Sequence, residues 1–205
     1  MPRPKLIVLE GIDGSGTTTQ LDRLARHLEG LGRRVHVTRE PSTGPVGRLL
    51  REILIGLHRL PDGTPADGLT AALLFAADRR DHLRREIEPA LAAGKDVLSD
   101  RYLLSSLVYQ ADEADAAWVA SLARDIRPAD LTLLLDLPVT IAAERRRAAG
   151  RPEERYDQDA VQERVAARYR DFLAQDPNGI AIDASASIDE VTVLLTKAVD
   201  AFLDL

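Results

Sequence analysis

Five short apolar runs, spread along the whole chain, constrain the fold more than any other feature of this sequence. They are rich in Leu, Ile and Val and do not alternate strictly with polar residues, which is typical of strands buried on both faces. The runs are residues 6–9, 35–38, 97–99, 131–135 and 180–182. Helical patterns separate them, such as the leucines at 21, 24, 28 and 31 that end at Gly32. This order predicts an α/β fold with a five-stranded parallel sheet and helices on both faces.

The composition excludes several classes of function. The chain has 205 residues, which fits one domain covering residues 1–205. It has no cysteine, so disulfides, thiolate metal sites and a cysteine nucleophile are ruled out. A formal net charge of −6 argues against a nucleic-acid partner, and phosphate chemistry would need locally concentrated positive charge. The apolar runs are far shorter than the ~20 residues of a membrane span, and we expect a cytoplasmic protein.

A glycine-rich loop follows the first apolar run and precedes a helical pattern. In a parallel sheet, ligands bind beyond the carboxyl ends of the strands, and the N–H groups of such a loop can hold phosphates. The spacing matches the Walker A pattern except that Thr17 stands where the pattern has lysine. The simpler alternative is a tight glycine turn before a helix that a threonine caps. The loop reads Gly11, Ile12, Asp13, Gly14, Ser15, Gly16, Thr17, Thr18, Thr19.

The missing lysine removes a charge from the place where phosphoryl transfer needs it. A unit charge at ~4 Å and an effective permittivity of ~20 contributes roughly 4 kcal/mol, or about a thousandfold in rate. The three lysines of the chain are Lys5, Lys95 and Lys197. The first two precede strands, at the wrong end of the sheet, and the third lies in the last helical pattern. A substitute cation would therefore have to be an arginine.

An arginine-rich segment lies at about residues 144–157, where a glycine and a proline interrupt two helical patterns. This composition predicts a short lid. We expect Arg145 and Arg146 to pair with nearby glutamates on a solvated helix end, and Arg147, Arg151 and Arg155 to reach phosphate. An arginine delivered to a phosphoryl-transfer transition state can contribute ~10³–10⁵ in rate, so the lid could offset Thr17.

Two further strand ends carry arginine. The second run ends in Thr38-Arg39-Glu40-Pro41 and the third in Ser99-Asp100-Arg101-Tyr102. We expect both arginines to bind phosphate and Asp100 to orient a magnesium ion or its waters. The alternative is a pair of local ion pairs between sequence neighbours, which is geometrically weak because adjacent residues of an extended chain point to opposite faces.

Over nearly its whole length the sequence resembles the thymidylate kinases, which phosphorylate dTMP with ATP and magnesium. The resemblance rests on the glycine loop, on the two strand-end motifs in this order, and on the arginine-rich lid. It rests also on the segments 73–79, Leu-Leu-Phe-Ala-Ala-Asp-Arg, and 105–110, Ser-Ser-Leu-Val-Tyr-Gln. The resemblance implies a P-loop kinase fold and a homodimer.

The resemblance also implies roles for the acceptor-side residues. Arg39 and Arg101 would grip the dTMP phosphate, and Asp13 would contact the sugar and position the acceptor. Tyr109 would exclude a ribose hydroxyl by crowding the sugar. Residues implied to contact thymine are Phe75, by stacking, and Arg79, Ser106 and Gln110. Simpler alternatives are that Phe75 is an ordinary core aromatic and that Ser106 and Gln110 are plain helix polar residues.

On the donor side, the resemblance implies that Gly11–Thr19 holds ATP. The Thr18 hydroxyl would ligate Mg²⁺ with Asp100 close to the ion. Family members without an arginine inside the glycine loop supply one from the lid, which implies ATP and transition-state contacts for Arg147 and Arg151. The resulting expectation is an ATP- and Mg²⁺-dependent dTMP kinase.

Two alternatives stay open at this point. The absence of the loop lysine is compatible with a nucleotide-binding paralogue that has little or no turnover. The same fold is also compatible with a deoxynucleoside kinase, which would phosphorylate thymidine and would not need Arg39 and Arg101 as a phosphate clamp.

Overall fold

A computed structural model describes residues 3–110, 114–150 and 158–205 of the chain. The strands are β1 (Leu6–Glu10), β2 (Val35–Arg39), β3 (Asp96–Asp100), β4 (Leu131–Asp136) and β5 (Gly179–Asp183). The helices are α1 (Thr17–Gly30), α2 (Pro45–Leu54), α3 (Gly68–His82), α4 (Glu88–Ala92), α5 (Leu103–Tyr109), α6 (Ala116–Ser121), α7 (Val139–Ala148), α8 (Asp159–Leu173) and α9 (Ile188–Leu203), with a π-helical turn Leu83–Ile87 between α3 and α4.

All five predicted strands form, and each continues past its apolar run onto a polar residue. The added carboxyl-terminal residues include Glu10, Arg39 and Asp100. The sequence interpretation ended the five runs at residues 9, 38, 99, 135 and 182, one residue short of the strands, because the ladder hydrogen bonds of a parallel sheet do not depend on side-chain polarity. The polar residues that follow the runs are therefore held by the sheet itself.

The strands pair in parallel in the order β2-β3-β1-β4-β5, as the predicted fold class requires. β1 lies in the middle, and the chain passes from it first to β2 and β3 on one side and then to β4 and β5 on the other. This change of direction opens a crevice beyond the carboxyl end of β1, the place where open α/β sheets bind ligands.

Alternate residues of β1 pack into two apolar clusters. Ile7 and Leu9 pack with Leu24 of α1, while Leu6 and Val8 pack in a second cluster that includes Ile87. Because successive strand residues point to opposite faces, helices cover both sides of the sheet. In the described part of the chain, no helix is long and apolar enough to cross a membrane.

The predicted helix ends also agree with the structure. α1 ends at Gly30, just before Gly32, which has a φ of 80°. At the start of α9, Ser187 and Glu190 form the capping box that their spacing predicts.

Candidate functional site

A cleft of about 720 Å³ lies beyond the carboxyl ends of the strands. Six arginines and three carboxylates line it, so the cleft is locally positive in a chain of net charge −6. Such a focused charge attracts anions without making the whole surface basic. The arginines are Arg39, Arg51, Arg79, Arg101, Arg145 and Arg146, and the carboxylates are Asp13, Glu40 and Asp100.

The glycine loop bends between β1 and α1. Gly16 precedes α1 with a φ of 95° and provides no side-chain cap, so the N–H groups of the first helical turn have no capping side chain. An exposed helix N-terminus of this kind attracts anions. Thr17 is the first residue of α1, so the predicted capping threonine is not at the cap position.

Gly14 allows α7 to pack directly against the loop. It has a φ of 90°, and a Cβ atom at this position would lie 2.4 Å from the carbonyl oxygen of Ala142. A residue with a side chain would therefore clash there, and it would also be strained.

Position 17 of the loop, where the Walker A pattern has lysine, carries no positive charge. Thr17 is buried, and no lysine is among the described residues that line the cleft. Lys5 and Lys95 directly precede β1 and β3, at the opposite end of the sheet, as the sequence indicates.

Thr18 and Asp100 meet at the mouth of the loop. The Thr18 hydroxyl donates to Asp100 Oδ2 at 2.5 Å, while Asp100 Oδ1 is buried with no hydrogen-bond partner in the described structure. No group of three or more His, Cys, Asp or Glu residues in the described part of the chain could hold a metal. Two oxygen donors beside an anion-binding loop fit Mg²⁺, which prefers few protein ligands and completes its shell with water and phosphate.

Arg101 crosses the cleft to the glycine loop. Its guanidinium lies 2.6 Å from Asp13 Oδ1 and 5.3 Å from the centre of the Tyr109 ring. Although burial opposes the charged form, the neighbouring tyrosines and Asp13 raise the pKa of Arg101 well above its usual value. Arg101 is therefore positively charged throughout the physiological range.

Arg79 and Glu40 form a buried ion pair below the cleft. Arg79 Nε lies 3.1 Å from Glu40 Oε2, and the same guanidinium donates to the Ser106 hydroxyl. Glu40 Oε1 also lies 3.2 Å from His82 Nδ1.

The ion pair between the sequence neighbours Arg39 and Glu40 does not form, and Arg39 is exposed with no ion pair in the described structure. Arg101 likewise pairs with Asp13 and not with its sequence neighbour Asp100.

The remaining predicted acceptor residues also line the cleft. Phe75 is half-buried in its wall, and Tyr109 is buried with its hydroxyl 3.4 Å from Asp13 Oδ2. Gln110 has only 1% of its surface exposed, yet neither polar atom of its side chain has a hydrogen-bond partner in the described structure. A buried amide without partners is costly unless a ligand satisfies it.

The interpretation of Arg145 as a glutamate-paired residue of a solvated helix end is wrong, and Arg146, with 11% of its side chain exposed, does not lie on a solvated surface. Arg145 donates to the carbonyl oxygens of Ala184 and Ala186 at 3.0 and 3.1 Å. Arg146 donates to the Asp13 carbonyl oxygen at 2.6 Å and to Asp159 at 3.2 Å. The reason is packing: the last turns of α7 face the glycine loop and the end of β5, where backbone carbonyls are available.

The other lid residues are placed differently. Arg147, at the end of α7, is exposed and does not line the cleft. Arg151 and Arg155 lie outside the described residues.

The structure adds residues that the sequence interpretation missed. Glu10 is fully buried and accepts hydrogen bonds from Tyr102 N at 3.0 Å, Ser105 N at 3.2 Å, Ser105 Oγ at 2.5 Å and Tyr169 Oη at 3.1 Å. Burial raises the pKa of this carboxyl. Gln162 of α8 contacts both the backbone N–H and the carboxylate of Asp13, each at 3.3 Å. Gln162 could have been identified from the sequence, because it is a polar residue at a buried position of α8.

Comparison with known proteins agrees with this geometry. The sequence profile described as thymidylate kinase matches residues 9–194. A protein named "Probable thymidylate kinase" from Pyrococcus abyssi is 40% identical over 190 residues, covering 92% of each chain. One named "Thymidylate kinase" from Syntrophotalea carbinolica is 43% identical over 199 residues, covering 90% of each chain. Another of that name, from Bifidobacterium longum, is 40% identical over 195 residues, covering 90% of this chain and 92% of the relative.

Proposed function

This chain belongs to the thymidylate kinase family, and we propose that it transfers the terminal phosphoryl group of ATP to the phosphate of dTMP, which gives dTDP and ADP. The observation that carries the proposal is the meeting, in one cleft, of an anion-binding loop, an oxygen pair suited to Mg²⁺, and an arginine-lined pocket with an aromatic wall. The acceptor is already an anion, so the main demand is to neutralise and align two phosphate groups, with little general-base work.

The donor phosphates would lie on the loop Gly11–Thr19, with their negative charge at the N-terminus of α1. Thr18 and Asp100 would hold Mg²⁺, which when bound neutralises charge on the phosphates. The unpartnered Asp100 Oδ1 supports this assignment, because a metal or its water would satisfy it.

The acceptor phosphate would lie between Arg39 and Arg101. Among the described residues Arg39 has no ion pair to give up, and Arg101 can exchange part of its contact with Asp13 for phosphate. Bidentate guanidinium pairing suits a phosphate in this position. Asp13 would then be available to a sugar hydroxyl.

The base would stack on Phe75, next to the polar groups of the pocket floor. Gln110 would gain a partner for an amide that has none among the described residues, and Arg79, held by Glu40, would present a donor beside Ser106. Tyr109, buried beside Asp13, would leave no room for a ribose 2′-hydroxyl. Contacts of Arg147 and Arg151 with ATP stay a prediction from family resemblance.

The decisive experiment mixes purified protein with ATP, Mg²⁺ and dTMP and follows ADP release, with thymidine as the alternative acceptor. We expect turnover with dTMP and little with thymidine. A preference for thymidine would indicate a deoxynucleoside kinase. A silent protein that Thr17→Lys makes active would indicate a nucleotide-binding paralogue. Arg39 and Arg101, which a deoxynucleoside kinase would not need, both line the cleft and argue against that alternative.

We also propose a homodimer in the cytoplasm, where ATP is abundant. α2 and α3 pack together and expose Leu49, Leu69 and Leu73, each between 42% and 51% accessible. Exposed apolar groups on neighbouring helices suit burial against a second copy. Sedimentation equilibrium should give twice the chain mass, and Leu73→Glu should shift it towards the monomer.

A further inference from the structure

Arg146 packs against the glycine loop and lines the cleft. Its side chain is 11% exposed, and its Cγ atom would lie 3.0 Å from a Cβ atom on Gly14. One guanidinium nitrogen donates to the Asp13 carbonyl oxygen at 2.6 Å, and the other lies 3.2 Å from Asp159 at the start of α8. A single side chain of α7 thus joins the loop to α8.

The contact with the Asp13 carbonyl fixes the direction of a loop N–H group. In a trans peptide the carbonyl and the following N–H point in opposite directions. Because the Asp13 carbonyl points to Arg146, the Gly14 N–H points away from α7. Arg146 therefore holds one peptide of the loop in a single orientation, and it does so through a charge-assisted hydrogen bond.

Arg79, Arg101 and Arg145, which also line the cleft, contact groups outside the loop backbone. Arg79 and Arg101 lie against the carboxylates of Glu40 and Asp13, on the acceptor side. Arg145 binds backbone carbonyls at the end of β5. Among the described cleft arginines, Arg146 is the one that donates to a backbone oxygen of the loop.

We propose that Arg146 is a positioning residue that takes over the task of the absent loop lysine: it keeps the loop peptides oriented for the donor phosphates and places a positive charge beside them. This inference rests on the proposed function, in which the loop holds the phosphates of ATP. It assigns the role of the missing lysine to Arg146 of α7, which contacts the loop, and not to Arg147 or Arg151.

A double-mutant cycle between Arg146 and Thr17 tests the proposal. Arg146→Gln keeps an N–H donor but removes the charge. In the native background we expect it to lower kcat/KM for ATP about a hundredfold, comparable to the loss of one preorganised donor to a developing anion, and to weaken MgADP binding measured by calorimetry. In the Thr17→Lys background the same change should cost less than about threefold, because the two cations serve one task.

The control is Arg170→Gln. Arg170 lies on α8, away from the cleft, and pairs with Asp136 at 2.8 Å. Its replacement should leave kcat/KM for ATP unchanged in both the native and the Thr17→Lys background. Equal losses for Arg146→Gln in both backgrounds would overturn the proposal, since a merely structural residue would not respond to a lysine at position 17.

Two further measurements keep the outcome decisive. If thermal melting shows that Thr17→Lys does not fold, Arg146→Lys replaces it in the comparison: it should retain most MgADP affinity where Arg146→Gln loses it, and equal affinities would overturn the inference. Absence of dTMP turnover in the native chain would count against the proposed function alone, because MgADP calorimetry reads the loop without an acceptor.

Discussion

The guanidinium of Arg101 lies 2.6 Å from the carboxylate of Asp13, and the Arg101 backbone has a φ of 68°, a left-handed conformation rare for a residue with a side chain. The neighbouring strand β1 fixes the Arg101 backbone, because Arg101 N donates to the Leu9 carbonyl oxygen at 2.8 Å. Backbone strain of this kind is found where a side chain must be pre-positioned. The pair joins the proposed acceptor and donor sites before any ligand binds.

Arg101→Ala should raise the KM for dTMP by about a hundredfold, since it removes a charge-assisted contact to a phosphate from a largely buried site. Initial rates at varied dTMP and saturating ATP measure the effect, and equilibrium binding of dTMP checks it. Arg124→Ala, at an exposed arginine outside the cleft, is the matched control. Unchanged dTMP binding in the Arg101 variant would remove this residue from the site.

Asp100→Asn should raise the Mg²⁺ concentration needed for half-maximal activity by about tenfold, because an amide is a weaker ligand for a hard cation than a carboxylate. The measurement is a magnesium titration at fixed total ATP. Asp136→Asn changes a carboxylate at the end of the neighbouring β4, which pairs with Arg170, and should leave the titration unchanged. A similar titration curve for both variants would argue against a metal role for Asp100.

Gln110→Leu should raise the KM for dTMP by about tenfold and alter kcat little, because it removes a binding group remote from the phosphates. The same variant should not lower stability, since the native amide has no hydrogen bond to a described residue that would be lost. Kinetics and urea unfolding are measured together, with the exposed Gln175→Leu as control. A stability loss at unchanged KM would mean that Gln110 acts only in the core.

Glu10→Gln should remove part of the pH dependence of stability. Burial raises the folded-state pKa of Glu10 above its usual value of 4.5, so the stabilisation from its protonated form is complete below 4.5 and is lost as pH rises through the raised pKa. The free energy of unfolding of the native chain, relative to Glu10→Gln, should therefore fall with increasing pH, by at most about 1.4 kcal/mol per pH unit. Burial also raises the pKa of Asp78. Its contribution to the pH dependence is the same in both proteins and therefore cancels in the difference.

Urea unfolding of both proteins at a series of pH values above 4.5 measures this difference. A difference that is constant across the series would show that Glu10 has the same pKa folded and unfolded. Loss of dTMP binding in the same variant is expected too, since Glu10 accepts N–H groups at the start of α5, which carries Ser106 and Tyr109.

The residues that follow the strands could be identified from the sequence because their position depends on chain order alone. Thr18, Asp100 and Arg101 come after buried apolar runs, and the carboxyl ends of parallel strands meet at one edge, so their convergence needs no further information. The same reasoning placed Lys5 and Lys95 at the far end and made an arginine the only candidate substitute for the loop lysine.

Arg145 and Arg146 show where such reasoning ends. As neighbours in a run of arginines they resemble a solvated helix end, and glutamates are close in sequence. Both donate to backbone carbonyl oxygens, those of residues 13, 184 and 186, which are distant in the chain and carry no side-chain signal. Gln162 and Glu10 were missed for a similar reason, because their contacts depend on how α8 and α5 pack over the loop.

The sequence by itself determined the order and type of the elements, the position of the anion-binding loop and the absence of its lysine, because hydrophobic periodicity and glycine spacing are local properties of the chain. Only the tertiary structure decided which guanidinium meets which oxygen, because that depends on the packing of helices remote in sequence. The assignment of Arg146 to the loop, through a helix seated against Gly14, belongs to this second kind of information.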